Sequence, residues 1–102
     1  YIHDAIYDYI VRLAQATREN EQIALGVSPR GTLALTAMAK AYALYEGRDY
    51  CIPSDIRSVF VDVVSHRLVL SPKARVNRIS ESEAAGEILN ATAVPRLKKG
   101  KD

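Results

Sequence analysis

The chain has 102 residues, 48% hydrophobic and 25% charged, which is the size and composition of one folded globular domain. No apolar run is long enough to cross a bilayer, and one cysteine cannot form an internal disulfide, which excludes membrane-spanning helices and disulfide-stapled secreted domains. The formal charge is +2, but residues 96–102 alone carry a net +3 and leave −1 for the other 95 residues. A near-neutral body of this kind argues against nucleic-acid binding.

The ends of the chain and its cysteine bear on its origin. The first residue is Tyr1 and the one methionine is Met38, so we expect a piece excised from a longer protein. Cys51 suits a reducing compartment, and we expect a cytoplasmic location. Residues 1–95 are predicted to form one helical domain, followed by a basic, disordered tail over 96–102.

The first predicted element is an amphipathic helix over residues 2–19. Its apolar positions recur at the 3.6-residue period; they are Ile2, Ile6, Tyr9, Ile10, Leu13 and either Ala16 or Thr17. Residues 20–28 break this pattern and are predicted to form a loop. Ile23, Leu25 and Val27 alternate within it and are expected to anchor the loop in the core.

A second helix is predicted from Pro29 to about Glu46. Ser28 is suited to the N-cap, Pro29 to the first helical position, and Gly47 to the residue that ends the helix. The apolar face that we expect to pack against the core consists of Leu33, Ala34, Ala37, Met38, Ala41, Leu44 and Tyr45.

Two further helices complete the prediction. One begins at Pro53 and ends near His66 or Leu68, with an apolar stripe at Ile56, Val59, Phe60, Val63 and Val64. Residues 69–79 are predicted to be a loop with a possible extended piece. Ser80 and Glu83 then form a capping box for a helix over about 81–92 that buries Ala84 or Ala85, Ile88 and Leu89. The expected fold is all-α, a small bundle of about four helices with little or no sheet.

The sequence offers little chemistry of its own. It has no glycine-rich phosphate loop, and one cysteine with two distant histidines provides too few ligands for zinc. Cys51 is expected to be a small buried hydrophobic residue, and His66 to have a structural role at a helix C-terminus. We therefore do not expect the isolated chain to be an enzyme, and predict no metal site.

Arg30 is the most informative position. It lies in the first turn of the capped second helix, where free N–H groups and the positive end of the helix dipole attract anions. Its planar guanidinium is suited to phosphate oxygens. Ser28, Gly31 and Thr32 could face the same phosphate, Gly31 by permitting close approach. The alternative is an exposed arginine paired with a nearby acid.

Several segments together resemble the C-terminal helical lid of MoxR-type AAA+ ATPases. They are Tyr9 to Leu13 with Ala16 to Arg18, Leu25 to Arg30, Leu33 to Leu35 with Ala39 to Ala41, Gly47 to Tyr50 with Pro53 to Ile56, and His66 to Leu68. Glu87 to Leu89, followed by Val94 and Pro95, also fits the usual end of that family. The resemblance covers nearly the whole chain.

The resemblance implies a function. Arg30 would be the sensor-2 residue that reaches the γ-phosphate of ATP, with Ser28, Pro29 and Gly31 around it. ATP and Mg would be bound mainly by an upstream α/β domain of the same polypeptide. The parent would be an ATP hydrolase in a ring, expected to be a hexamer, that remodels other proteins in a chaperone-like way, with von Willebrand A-domain proteins as possible partners.

The chain departs from the family pattern at two positions. Gly31 stands where a small residue such as Ala is common, and Ile52 stands where Thr usually precedes the proline. Ser54 or Asp55 is expected to compensate for the missing hydroxyl cap. Further matches to the pattern carry no assigned nucleotide contact and are treated as structural; they are Arg18, Arg48, Asp49, His66 and Arg67.

Two other functions remain open from the sequence. One is a stand-alone helical protein-interaction module. The other is a DNA-binding module that reads with the helix at 29–46 or at 53–66, although the charge of the body and the few basic side chains on the second helix count against it.

Overall fold

The computed structural model describes residues 3–95 of the chain. Within that range the chain forms five helices and two short strands. In chain order these are α1 (Asp4–Glu19), β1 (Ile23–Leu25), α2 (Pro29–Tyr45), α3 (Pro53–Ser65), β2 (Val69–Leu70), α4 (Pro72–Val76) and α5 (Glu81–Ala91). The predicted all-α class is confirmed. The predicted tail at 96–102 and the stripe residue Ile2 lie outside the described residues.

Helix α1 forms where the periodicity predicts it. His3 caps its start, because its Nδ1 accepts a hydrogen bond from the Ala5 N–H at 3.0 Å. The buried side chains of the helix are Ile6, Tyr9, Ile10, Leu13, Ala14 and Thr17. The predicted stripe is thus the face of α1 that packs into the core.

Strands β1 and β2 pair antiparallel, with Ile23 opposite Leu70 and Leu25 opposite Val69. Strand β1 replaces part of the first predicted loop, and β2 is the extended piece expected within the second. Ile23 and Leu70 are buried, whereas Leu25 and Val69 are exposed. The expectation that Leu25 anchors the loop in the core is therefore wrong. In a regular strand Ile23 and Leu25 would share a face, but the pairing is irregular between them, so the alternation is interrupted and Leu25 is exposed.

Helix α2 has the predicted ends but a different buried face. Gly47, with φ of +85°, follows its last turn as expected. Its buried residues are Gly31, Leu35, Ala39 and Ala43. The face that we expected to lie in the core is largely exposed; Leu33 is 67%, Met38 48%, Leu44 67% and Tyr45 84% accessible. The prediction failed because this helix is apolar almost all the way round, so that periodicity alone cannot choose a face.

Helix α3 lies against α2 and α5, and its start is held by a buried carboxylate. Asp55, fully buried, accepts a hydrogen bond from the Ile52 N–H at 2.8 Å and forms an ion pair with Arg48. Asp55 therefore compensates for the missing hydroxyl cap, as one of the two predicted alternatives. The buried apolar side chains of α3 are Ile56, Val59, Phe60 and Val64, while Val63 of the predicted stripe is only partly buried.

The segment at 69–79, predicted to be a loop, contains the fifth helix. Ser71 caps α4 by accepting a hydrogen bond from the Ala74 N–H at 3.2 Å, and Pro72 occupies the first turn. These are the same signals that begin α2, but α4 is only five residues long. The predicted capping box of α5 is confirmed, since Ser80 and Glu83 each accept the other's backbone N–H.

All the longer helices contribute to one hydrophobic core, with Tyr9 and Phe60 as its largest fully buried side chains. Cys51 belongs to this core, as predicted, and its burial raises the pKa of the thiol. Within residues 3–95, no helix has the length and apolar character needed to cross a membrane.

Candidate functional site

The candidate site is the first turn of α2. The Ser28 hydroxyl accepts a hydrogen bond from the Gly31 N–H at 3.1 Å, and the Ser28 carbonyl accepts one from the Thr32 N–H at 2.9 Å. Pro29 occupies the first helical position, where its missing N–H is not needed. The helix start is therefore fixed by local bonds, as the sequence predicts.

The residue before the cap, Val27, is bonded to α1 through both of its backbone groups. Its N–H donates to the hydroxyl of Thr17 at 2.9 Å, and its carbonyl accepts from Arg18 Nε at 3.0 Å. Thr17 is fully buried, and its hydroxyl donates in turn to the Ala14 carbonyl at 2.6 Å. These two bonds, here called the Val27 clamp, fix the start of α2 relative to the end of α1.

Two glycines let the chain pass this closely. A Cβ on Gly26 would lie 2.8 Å from the backbone and hydroxyl of Thr17 and from the Arg18 nitrogen. A Cβ on Gly31 would lie 2.8 Å from a methyl group of Val27 and 3.1 Å from Arg67 Cδ. Both distances are shorter than a side chain tolerates without displacing its neighbours. Gly31 is thus explained by packing inside the domain.

The Val27 clamp gives a testable contribution to stability. We expect Thr17→Val, which keeps the shape of the side chain and removes its hydroxyl, to lower the free energy of unfolding by about 1–3 kcal/mol, because the buried Val27 N–H loses its partner. Urea denaturation of the chain measures this. Thr17→Ser, which keeps the hydroxyl, is the matched control and is expected to be more stable than the valine variant; the reverse order would contradict a role for the hydrogen bond.

Arg30 is exposed and extends from this fixed turn. The ion pairs within residues 3–95 join Arg12 to Asp8, Arg48 to Asp55, and Lys73 to Glu21. Arg30 takes part in none of them. The alternative that it is paired with a nearby acid is therefore not what the described part of the chain shows.

The four predicted site residues differ in whether their side chains are available to bind an anion outside the domain. Ser28 and Gly31 bond to each other in the cap, and Pro29 has no N–H. Arg30 is the one of the four whose charged side chain is free to reach outward from the domain. The arrangement can place a single positive charge, on a rigid helix start, against an anion held by something else.

The other arginines and the histidine that match the family pattern each lie at a different position in the fold. Arg18 belongs to the Val27 clamp, and Arg48 pairs with the buried Asp55. His66 caps the C-terminus of α3, where the sequence predicts a structural role. Arg67 lies beside Gly31 at the start of α2. Thr17 is the residue that sequence analysis missed, although a hydroxyl on an otherwise apolar stripe was a signal for it.

The exposed face of α2 is continuous with Arg30. Positions 30, 33, 37, 41 and 44 follow each other three or four residues apart and so lie along one side of the helix. We call the residues that follow Arg30 on this side, Leu33, Ala37, Ala41 and Leu44, the outer face of α2; all are exposed. Apolar side chains of this kind are the opposite of what a DNA-reading helix presents.

Comparison with known proteins identifies the family. Residues 15–89 match the family model of the AAA lid domain. The chain is 44% identical over 92 residues to the uncharacterized protein YeaC of Bacillus subtilis (90% of the chain, 29% of YeaC). It is 40% identical over 106 aligned positions to the chaperone MoxR1 of Mycobacterium tuberculosis (95% of the chain, 28% of MoxR1).

A solved structure of similar fold supports the same family assignment. The crystal structure of a candidate ATPase from Cytophaga hutchinsonii superposes with a TM-score of 0.84 at 31% identity, over 93% of the chain and 32% of that protein. The chain thus spans about 28–32% of the length of these relatives. The chain belongs to the AAA lid domain family, as the lid of a MoxR-type AAA+ protein.

Proposed function

We propose that the chain is the lid of an ATP hydrolase and that Arg30 is its sensor-2 residue, contacting the γ-phosphate of ATP bound by another domain of the same protein. The observation that carries this proposal is Arg30 itself. It is exposed on the rigidly held first turn of α2 and forms no ion pair with any residue of 3–95. The family supports ATP and Mg binding by the parent protein.

The donor set at the start of α2 fits a phosphate and not a magnesium ion. A guanidinium and the positive end of a helix attract phosphate oxygens. Magnesium requires oxygen ligands, commonly carboxylates, and the groups at this turn are Arg30 and the capping Ser28. Arg30 would therefore hold the terminal phosphate, while the magnesium ligands and the rest of the nucleotide site would belong to the α/β domain.

The position of Arg30 couples chemistry to movement. Charge develops on the γ-phosphoryl group during its transfer, and a preorganised guanidinium stabilises it. Because Arg30 is fixed to the lid through the cap and the Val27 clamp, the contact draws the whole lid toward the nucleotide. Release of phosphate removes the contact, and the lid is free to open.

The outer face of α2 supports this closed arrangement. It is apolar, exposed and on the same side as Arg30. A lid that brings Arg30 to ATP also turns this face toward the nucleotide-binding domain, which can bury it.

We extend the proposal to assembly and client binding. MoxR1 carries the description of a chaperone, and we propose that the parent of this chain likewise uses ATP hydrolysis to remodel other proteins. It would do so in a ring, a hexamer by family resemblance, in the cytoplasm. Von Willebrand A-domain proteins are the partners that the family resemblance favours.

A labelling experiment tests the closure. The experiment uses the full-length protein with Cys51 retained and any cysteines outside residues 1–102 replaced. In this background, Ala37→Cys places a thiol on the outer face of α2. We expect a non-hydrolysable ATP analogue to slow its reaction with a maleimide severalfold, because closure covers the face. Native Cys51 is buried and its thiol pKa is raised, so it reacts slowly.

Val76→Cys on α4 is the matched control, since Val76 is 80% exposed and lies on a different helix. Its labelling is expected to be independent of nucleotide. Combining Ala37→Cys with Arg30→Ala is expected to abolish the nucleotide effect. Equal labelling of position 37 with and without the ATP analogue, in the protein with Arg30 intact, would rule out the proposed closure.

A further inference from the structure

Arg67 has a position that its place in the sequence does not suggest. It follows α3, two residues before β2. Its Cδ lies 3.1 Å from the point that a Cβ on Gly31 would occupy, so the stem of Arg67 packs over Gly31 in the first turn of α2. Gly31 is the immediate neighbour of Arg30. Arg67 and Arg30 are thus brought to the same end of α2 from different elements.

Among residues 3–95, the two arginines at this end of α2 form no ion pair. Arg67 is exposed and, like Arg30, takes part in none of the ion pairs formed among residues 3–95. Asp62 lies along the same groove between α2 and α3 as Arg67, but the two do not pair. The Arg18 side chain is already engaged, since its Nε donates to the Val27 carbonyl at 3.0 Å.

Two guanidinium groups that extend from the same helix start repel each other, and an anion between them would offset that repulsion. Each presents a planar fork of donors that matches phosphate oxygens. A polyphosphate chain offers several such oxygens in a row, enough for two arginines that approach from different elements.

We infer that Arg67 is a second phosphate-binding residue of the lid, contacting the polyphosphate chain of the nucleotide beside Arg30. This inference rests on the proposed function, because the nucleotide is held by the other domain. Arg30 is carried by α2, and Arg67 by the chain that leaves α3. Because Gly31 has no side chain, the Arg67 stem can lie against the helix start beside Arg30.

Nucleotide titrations of the full-length protein test this inference. The probes are ADP, a non-hydrolysable ATP analogue and AMP, measured by isothermal titration calorimetry. A hydrogen bond to a charged group contributes about 1.5–3 kcal/mol, and 1.4 kcal/mol is tenfold in affinity. We expect Arg67→Ala to weaken binding of the ATP analogue about tenfold or more, and to leave AMP, which lacks the polyphosphate chain, unchanged.

Two further variants test whether the effect depends on the guanidinium group and on its position. Arg67→Lys keeps the charge and loses the fork, and is expected to recover part of the affinity. Arg75→Ala, which removes another exposed arginine from α4, is expected to bind all three nucleotides like the unaltered protein. Unchanged affinity for the ATP analogue in Arg67→Ala, or an equal loss for AMP, would overturn the inference.

The same titrations separate this inference from the proposed role of Arg30. If Arg30→Ala leaves ATP turnover intact while Arg67→Ala weakens polyphosphate binding, the sensor role fails and the role of Arg67 stands. If Arg30→Ala stops turnover and Arg67→Ala binds normally, the sensor role stands and that of Arg67 fails.

Discussion

Arg30→Ala in the full-length protein is expected to lower the kcat for ATP hydrolysis by about 100-fold or more. The loss is that of one preorganised donor to charge that develops in the transition state. Because the contact is with the phosphoryl group that is transferred, kcat should fall more than the affinity for ATP. Steady-state kinetics with ATP, together with titration of a non-hydrolysable analogue, gives both quantities.

The fold should survive this change, since Arg30 is exposed and forms no ion pair within residues 3–95. Arg30→Lys, which keeps a charge without the planar fork, is expected to be intermediate. Lys40→Ala is the matched control, because Lys40 is an exposed cation on the same helix, farther from its start. Normal turnover by Arg30→Ala would refute the sensor role.

The largest effect on stability is expected from Asp55. This carboxylate is fully buried, accepts the Ile52 N–H at 2.8 Å, and pairs with both terminal nitrogens of Arg48. Asp55→Ala leaves the mostly buried Arg48 without its counter-charge and removes the cap of α3. Loss of one partner of such a pair costs about 3–5 kcal/mol, and we expect a loss of about 3 kcal/mol in the free energy of unfolding, measured by urea denaturation of the chain.

Asp62→Ala is the control for the Asp55 measurement. Asp62 is an acidic residue on the same helix, but it is exposed. Its replacement is expected to change the free energy of unfolding by no more than about 0.5 kcal/mol. If both variants unfold at the same urea concentration, the Arg48–Asp55 pair is not the element that holds the start of α3.

The sequence predicted the helix ends better than the helix faces. Ser28, Gly47, Ser80 and Glu83 act through neighbours within a few residues, so their roles can be read locally. The buried side of α2 depends on what surrounds the helix. Leu35 and Ala39 face the core, while Leu33 and its neighbours, equally apolar, are exposed, and nothing in the order of residues distinguishes the two sides.

Sequence analysis missed strand β1 and helix α4, for two different reasons. Strand β1 pairs with β2 across more than forty residues, Ile23 with Leu70, and three residues of alternation are too few to predict a strand. Helix α4 did carry a local signal, Ser71 followed by Pro72, which repeats the start of α2. Its five residues are too short to show a helical period.

In the candidate site, too, local features could be predicted from the sequence and contacts between distant residues could not. Arg30 and its cap could be located from the motif, because helix capping is local. Thr17 and Arg18 bond to a residue ten and nine positions away, and Arg67 meets Gly31 across thirty-six positions. Asp55, which satisfies Arg48, lies seven residues beyond it. These contacts arise from the packing of elements and were outside the reach of spacing arguments.

The Val27 clamp has a practical consequence for the connection between α1 and α2. Because Val27 is hydrogen-bonded to Thr17 and Arg18, the connection over residues 20–26, which contains β1, has its two ends tied together. Its turn carries Glu21, which is exposed and has only a distant surface pair with Lys73 at 3.7 Å. The Val27 clamp, and not this turn, fixes the position of α2 relative to α1. An epitope or fluorescent tag inserted next to Glu21 should therefore leave the orientation of Arg30 unchanged.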